Sequence, residues 1–371
     1  MAKGLFNAFA AIAPGLEMAL LDELKQLGLR GRPEPGGVAF TTDAQGIVLV
    51  HLFSRLAGRV TVEVCTVKAG SLAALANGVQ AAPWKKFIWP GQPLEVRANL
   101  NRAKLPGHAA VANKVQLAIK DALRGPRLPG PRPPRESARV TVYVDKDRAR
   151  VSIDASGELM HRRGWRKATA KAPIRENYAA AILRLAEWMP GETLLDPMCG
   201  SGTFCIEAAT IALGKAPGAE RTFAFERWPS MDASLVKALR REAVDEPPLD
   251  EDGLFFASDR DAGAIKATTA NARRAGVAGA ITVNQGSFGK LVPPTPAGLL
   301  VANPPYGERV DGGRTDWAAF GRIVRDVWKG WRIAIVVPPS AKRAMAFLEL
   351  EEVASFQTGG IPVRVLVGES E

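Results

Sequence analysis

The 371-residue chain has no run of about 18 apolar residues, so no segment is expected to cross a membrane as a helix. Its apolar start, Leu5 to Ala13, has only Lys3 before it and Pro14-Gly15-Leu16-Glu17 behind it. That is a poor secretory signal and a plausible first strand. Cysteine is scarce: Cys65, Cys199 and Cys205 make an odd count in a chain long enough for a large core, which argues against a disulfide framework and for a reduced, cytoplasmic protein. Cys199 and Cys205 lack metal-ligand spacing, and the only histidines, His51, His108 and His161, are scattered, so no metal is expected. Nor is there an internal repeat of 20–50 residues.

Acid is scarce in one half only. Residues 1–175 hold 28 Lys+Arg against 13 Asp+Glu, a net +15, whereas residues 176–371 hold 21 against 25, a net −4. A basic half joined to a nearly neutral one is the footprint of a polyanion partner, usually nucleic acid; charge kept for solubility is the plain alternative.

The length suits two or three domains. A strand over Leu5–Ile12 leads into a helix from Pro14 whose apolar positions are Leu16, Leu20, Leu24 and Leu27, with Gly28 as its stop. Residues 38–50 read as a hairpin, followed by a helix around Leu52–Leu56. A second α+β unit has a strand at Val60–Val64, a helix over Ala109–Leu123 and a hairpin, Arg139–Val144 and Arg150–Ile153, turning at Asp145-Lys146-Asp147. The helix buries Val111, Val115, Ile119 and Ala122 and leaves Lys114, Lys120 and Arg124 on its other face. The proline-rich basic loop from Arg124 to Arg135 can be neither ladder nor helix interior. It reads as a solvated loop or as an RNA contact.

From Glu176 onward strands alternate with helices, the signature of a parallel sheet. The strands are Thr193–Leu195, Leu254–Ala257, Ile281–Val283, Leu299–Ala302 and Arg332–Val337, with Val353–Thr358 and Val363–Val367 closing the sheet as a hairpin. Trp317, Trp328 and Trp331 read as core, with base-stacking platforms as the alternative.

Two segments carry the chemistry. Leu194-Leu195-Asp196-Pro197-Met198-Cys199-Gly200-Ser201-Gly202-Thr203 is a buried strand running into a glycine turn that opens a helix. Glycines let backbone N–H groups approach a ligand closely, and the helix N-terminus suits a carboxylate. Asp196 is placed to accept a hydrogen bond or offset an ammonium. The dinucleotide fingerprint is absent, since Gly202 is followed by Thr203-Phe204-Cys205. Asp259, ending the next strand, would bind ribose hydroxyls, or cap the helix from Ala262, or both. The second segment, Val301-Ala302-Asn303-Pro304-Pro305-Tyr306, ends a strand in an amide, two stiffening prolines and an aromatic ring. An exocyclic amine is a poor nucleophile because its lone pair is delocalised. The Asn303 side-chain oxygen and the Pro304 carbonyl could grip its N–H bonds and expose that lone pair, while Tyr306 stacks on the planar base. A proline-capped strand end is the plainer reading. Arg309 is either a phosphate contact or half of an ion pair.

These segments resemble S-adenosylmethionine-dependent methyltransferases acting on exocyclic or amide nitrogens. With His161-Arg162-Arg163-Gly164-Trp165-Arg166, Ala172-Pro173-Ile174-Arg175-Glu176, Ser258-Asp259-Arg260-Asp261 and Asn303-Pro304-Pro305-Tyr306-Gly307-Glu308-Arg309, the chain resembles the THUMP-containing RNA guanine-N2 methyltransferases, in particular those that modify 23S ribosomal RNA. The resemblance implies an α/β fold: a Rossmann-like class I methyltransferase domain with a mostly parallel seven-stranded sheet, preceded by α+β ferredoxin-like and THUMP domains. It divides the chain into residues 1–58, ferredoxin-like; 59–156, THUMP; 157–175, linker; and 176–371, methyltransferase. The cofactor is then S-adenosylmethionine, with S-adenosylhomocysteine as product, held by Glu176, Asn177, the stretch Asp196–Thr203, Asp259 and Arg260, with Ser287 and Phe288, after Gly286, near the adenine. Ser287 stands where relatives often carry an acid, so the adenine amino group would depend on a backbone carbonyl. Asn303, Pro304, Pro305 and Tyr306 are the implied catalytic residues; Lys114, Lys120, Arg124, Arg162, Arg163 and Arg166 are the implied RNA contacts. A single activity is expected, because the chain ends shortly after one methyltransferase half.

The same chemistry on tRNA is the nearest rival. An RNA-binding ribosome-assembly factor and a protein-amide methyltransferase are the other readings, and the basic front half argues against the last.

Overall fold

A computed structural model describes residues 4–124, 133–168, 173–243, 254–305 and 315–370. In chain order the first half contains β1 (Phe6–Ala11), α1 (Glu17–Gln26), β2 (Gly31–Glu34), β3 (Gly37–Thr42), α2 (Ala44–Phe53), β4 (Arg59–Lys68), α3 (Leu72–Gln80), β5 (Leu94–Asn101), α4 (His108–Ala122), β6 (Ala138–Asp145) and β7 (Arg148–Asp154). The strands form one seven-stranded sheet, β2-β3-β1-β4-β7-β6-β5, antiparallel except where β5 runs parallel to β6. The pairing of β1 with β4 carries this sheet across residue 58.

The expected hairpin at 38–50 lies earlier. β2 and β3 pair around Pro35-Gly36, where Gly36 takes φ +83°, the left-handed value that a turn of this kind assigns to glycine. The helix expected at Leu52–Leu56 begins at Ala44, because the Asp43 carboxylate accepts the Gly46 N–H at 3.1 Å and caps it. α3 and β5 are elements that the sequence pattern did not reveal.

The second half contains α5 (Glu176–Leu185), β8 (Leu194–Asp196), α6 (Thr203–Ala212), α7 (Ala233–Glu242), β9 (Phe255–Asp259), α8 (Ala262–Arg274), β10 (Ile281–Gln285), β11 (Leu299–Ala302), α9 (Trp317–Val327), β12 (Arg332–Val337), α10 (Pro339–Ala344), β13 (Glu351–Thr358) and β14 (Ile361–Glu369). Its sheet runs β10-β9-β8-β11-β12-β14-β13, parallel through β12 and closed by the antiparallel β13–β14 hairpin. Trp328 and Trp331 are wholly buried against this sheet, their rings 5.1 Å apart, so both are core. No helix among the described residues is long and apolar enough to cross a membrane.

Candidate active site

The order of the parallel strands opens a crevice. From β8 the chain builds outward through β9 and β10, then crosses to the other side of β8 to form β11. Loops leaving β8 and β11 therefore diverge, and in open α/β sheets ligands bind at the carboxyl ends of the strands at such a reversal. Asp196 ends β8 opposite Ala257, which places Asp259 two residues further along β9. Leu300 pairs with Leu195, so Asn303 lies just beyond the end of β11. The two sequence segments and Asp259 thus meet at one edge, on strands about 4.8 Å apart.

The glycine turn is held from both sides. Asp196, Pro197 and Cys199 are buried, and the Met198 N–H donates to the Asp196 carboxylate at 3.1 Å. The Cys199 N–H reaches the Ser258 carbonyl at 2.9 Å, and the Gly200 N–H donates to Asp259 Oδ2 at 3.0 Å. Gly202 takes φ +82°, and a Cβ there would lie 2.7 Å from Thr268 Cγ2, so the turn excludes any side chain at that position. From α8, Thr268 donates to the Gly200 carbonyl (3.1 Å) and Asn271 to the Ser201 carbonyl (3.0 Å). α6 then starts at Thr203, with its first amides facing the crevice end.

Burial holds the Asp196 carboxyl well above the ordinary carboxylate range; the Met198 N–H opposes the shift and the Asp259 charge adds to it. Asp259 is half-exposed and accepts from Gly200 and, through Oδ1, from the Asp261 N–H at 2.9 Å. A carboxylate has about four lone-pair sites, so two remain for a ligand. The cap of α8 is Asp261, whose carboxylate accepts the Gly263 N–H at 2.7 Å, so Asp259 is not the helix cap. Burial pushes the Cys199 and Cys205 thiols up, so neither is a nucleophilic thiolate. Among the described residues no cluster of His, Cys, Asp and Glu could hold a metal.

At the other segment, Pro304 is buried and the Pro305 carbonyl accepts from the Thr315 hydroxyl at 2.7 Å, tying the turn to the approach of α9. Asn303 Oδ1 is buried and has no hydrogen-bond partner among the described residues. Such an acceptor is costly to leave unmade and marks a place where a ligand donor fits. Ser201 Oγ, Ser258 Oγ and Asn177 Oδ1 share this condition. Tyr306 and Arg309 lie outside the described residues, as does most of the proline-rich loop.

Glu176 and Asn177 open α5 and are buried; the Asn177 amide donates to the Leu56 carbonyl at 3.1 Å. Ser287 and Arg260 are exposed. The Phe288 ring packs 4.8 Å from Phe320 in the core, so only its backbone is free to meet a ligand.

Of the expected RNA contacts, Lys114, Lys120, Arg124 and Arg162 are exposed. Arg163 and Arg166 are not available to phosphate. Arg163 is buried, with Nε 3.5 Å from Glu207, which Arg55 also approaches at 3.4 Å. Arg166 pairs with Glu176 at 3.2 Å and donates to the Thr203 hydroxyl at 2.7 Å, bracing the start of α6. Their basic neighbourhood disguised them as surface residues. A signal existed: Glu207 interrupts the apolar run of α6, and a buried carboxylate demands cations. Arg55, Ser258, Thr268 and Asn271 were likewise missed, because their partners are far away in sequence.

Comparison with known proteins agrees with this architecture. A model described as "RMKL-like, methyltransferase domain" matches residues 163–359, and one described as "RlmL ferredoxin-like domain" matches residues 7–61. SMU.472, assigned as a methyltransferase and crystallised with SAH, is 30% identical and superposes with a TM-score of 0.89 over 100% of this chain and 99% of its own. A protein from Listeria monocytogenes str. 4b F2365, described as a predicted N6-adenine-specific DNA methylase, is 28% identical with a TM-score of 0.87 over 98% of this chain and 96% of its own. On the family match, which spans more than half its length, the chain belongs to the RMKL-like methyltransferases.

Proposed function

We propose that this chain transfers a methyl group from S-adenosylmethionine to the exocyclic N2 amine of a guanine in 23S ribosomal RNA. The observation that carries the reading is Asn303 Oδ1, a buried acceptor without a partner among the described residues, placed just beyond β11 at the reversal of the parallel sheet. Nucleic-acid methylation also accords with the family and with the excess of cations in residues 1–175.

The crevice fits the cofactor. The amides at the start of α6 suit a carboxylate, Asp196 suits an ammonium, the remaining lone pairs of Asp259 suit ribose hydroxyls, and the Ser201 and Ser258 hydroxyls, which have no partner among the described residues, add further groups. The cofactor is S-adenosylmethionine; when bound it supplies an electrophilic methyl group on a sulfonium. Asn303 and the Pro304 carbonyl accept the two N–H bonds of the amine and turn its lone pair outward. Pro305, fixed by Thr315, keeps that acceptor pair rigid; stacking on the base is the role assigned to Tyr306, which lies outside the described residues. The proton leaves after the new N–C bond has formed, so no strong base is required. Glu176, held by Arg166, and Asn177 line the cofactor side, with the backbone at Ser287 and Phe288 toward the adenine.

Residues 59–156 are read as the THUMP domain between the ferredoxin-like residues 1–58 and the linker 157–175, with the methyltransferase at 176–371. RNA is engaged through Lys114, Lys120, Arg124 and Arg162.

Nucleoside mass spectrometry on 23S ribosomal RNA, tRNA and DNA from cells with and without the protein tests this reading. Loss of N2-methylguanosine from 23S RNA alone supports it. Loss from tRNA keeps the chemistry and replaces the substrate, and loss of N6-methyladenine from DNA overturns both.

A further inference from the structure

A pocket of about 590 Å³ opens where the two halves meet, between the strap around Trp165, the C-terminal end of α6 and the segment near Arg221. Its lining includes none of Asp196, Asp259 and Asn303, and it reaches Glu207, about 6 Å along α6 from Thr203. Among the described residues its lining has six cations, Arg55, Arg163, Lys167, Lys215, Arg221 and Arg274, against the two carboxylates Glu207 and Glu220. Arg55 and Arg163 already share Glu207.

The remaining positive charge is crowded. The Met160 carbonyl accepts Nη1 of Arg163 at 2.7 Å and Nη1 of Arg221 at 2.8 Å, which holds two guanidiniums against one oxygen. A carbonyl satisfies their hydrogen bonds without neutralising them, and like charges at this range repel. Burial, reinforced by the Arg163 charge, draws the Arg221 guanidinium below its usual range. On the opposite wall the Trp165 carbonyl accepts both Arg274 Nε (2.8 Å) and the backbone N–H of Lys167 (3.1 Å), so two exposed cations leave from one point. Arg55 and Arg163 are engaged by Glu207; Lys167, Arg221 and Arg274 retain donors for a ligand. Guanidinium forks joined by an ammonium match the oxygens of a phosphate.

We infer that this pocket binds a phosphate group, and that in the RNA complex the group is a backbone phosphodiester held across the two halves. The second part rests on the RNA reading above. Such a contact involves none of the crevice residues Asp196, Asp259 and Asn303, so it would position the substrate without competing with them.

The test uses the full-length protein and two probes, tripolyphosphate by titration calorimetry and a labelled oligouridine by anisotropy across a salt series. In Lys167→Glu, and in the milder Lys167→Ala, tripolyphosphate affinity should fall about tenfold. The slope of log affinity against log salt for RNA should flatten by about one for each cation removed. S-adenosylhomocysteine affinity and the unfolding midpoint should match those of the unaltered protein. Unchanged binding of both probes by the variants overturns the inference. Lost tripolyphosphate binding with an unchanged RNA slope overturns the backbone assignment and makes a free phosphoryl compound the ligand. Unaltered protein that binds tripolyphosphate but no RNA upholds the pocket and rejects the RNA reading.

Discussion

Each half of the protein is built on seven strands, and the two sheets place their polar residues differently. In the second sheet β11 is buried throughout and β12 nearly so, because crossover helices cover both faces. Polar chemistry is therefore confined to the strand ends, where Asp196, Asp259 and Asn303 meet. In the first sheet β6 alternates buried and exposed residues and β7 does so along most of its length, leaving one face to solvent. A sheet covered on both sides concentrates function at an edge, whereas a half-covered sheet spreads it over a surface. Substitutions should separate the two behaviours.

The largest effect is expected at the edge. Asn303→Ala removes an acceptor that no described residue uses, so the unfolding midpoint should stay put while methyl transfer falls about 10³-fold, roughly 4 kcal/mol. Single-turnover transfer to RNA, read beside thermal unfolding, checks both halves of the statement. Near-normal transfer would remove Asn303 from the chemistry.

The junction comes next. Glu207 is nearly inaccessible and faces Arg163 and Arg55, so Glu207→Ala strands two cations and should cost about 3 kcal/mol of stability. The denaturant midpoint reads this directly. An unmoved midpoint would mean that the halves are joined by their apolar contacts alone.

Asp196 gives a smaller effect with a sign that depends on pH. Its carboxyl is held high by burial, so the neutral form stabilises the free fold, and stability is lost as pH rises through that raised value. Affinity for S-adenosylhomocysteine, whose ammonium needs the ionised form, should rise over the same range. Asp196→Asn should flatten both profiles, weakening the ligand while raising the melting temperature of the free protein above the transition. A ligand profile without an inflection above the usual carboxylate range would contradict the ammonium role.

The sequence made the second sheet legible because strands buried on both faces read as continuous apolar runs, as in Leu299–Ala302 and Arg332–Val337. The glycine turn and Asn303-Pro304-Pro305 were legible because backbone chemistry restricts which residues can stand there. The first half was harder. α3 is only nine residues long, and strand β5 mixes exposed and half-buried positions, so the strand has no strong period. The limits of α2 were set by one capping carboxylate, Asp43, rather than by its apolar pattern. Least legible were Arg163 and Arg166, since a basic run looks solvated until the fold brings Glu207 and Glu176 against it.

That contrast between solvated and buried cations yields the smallest prediction. Lys114 stands exposed on α4, whereas the Arg163 side chain is 4% exposed. Lys114→Gln should leave the unfolding midpoint unchanged and lower the salt slope of RNA binding by about one. Arg163→Gln should do the reverse, lowering the midpoint because Glu207 loses a partner, while changing the slope little in the fraction that folds. If both substitutions flatten the slope equally, the strap around Trp165 opens in the RNA complex and exposes Arg163. If neither does, the RNA grip lies on cations other than those of α4.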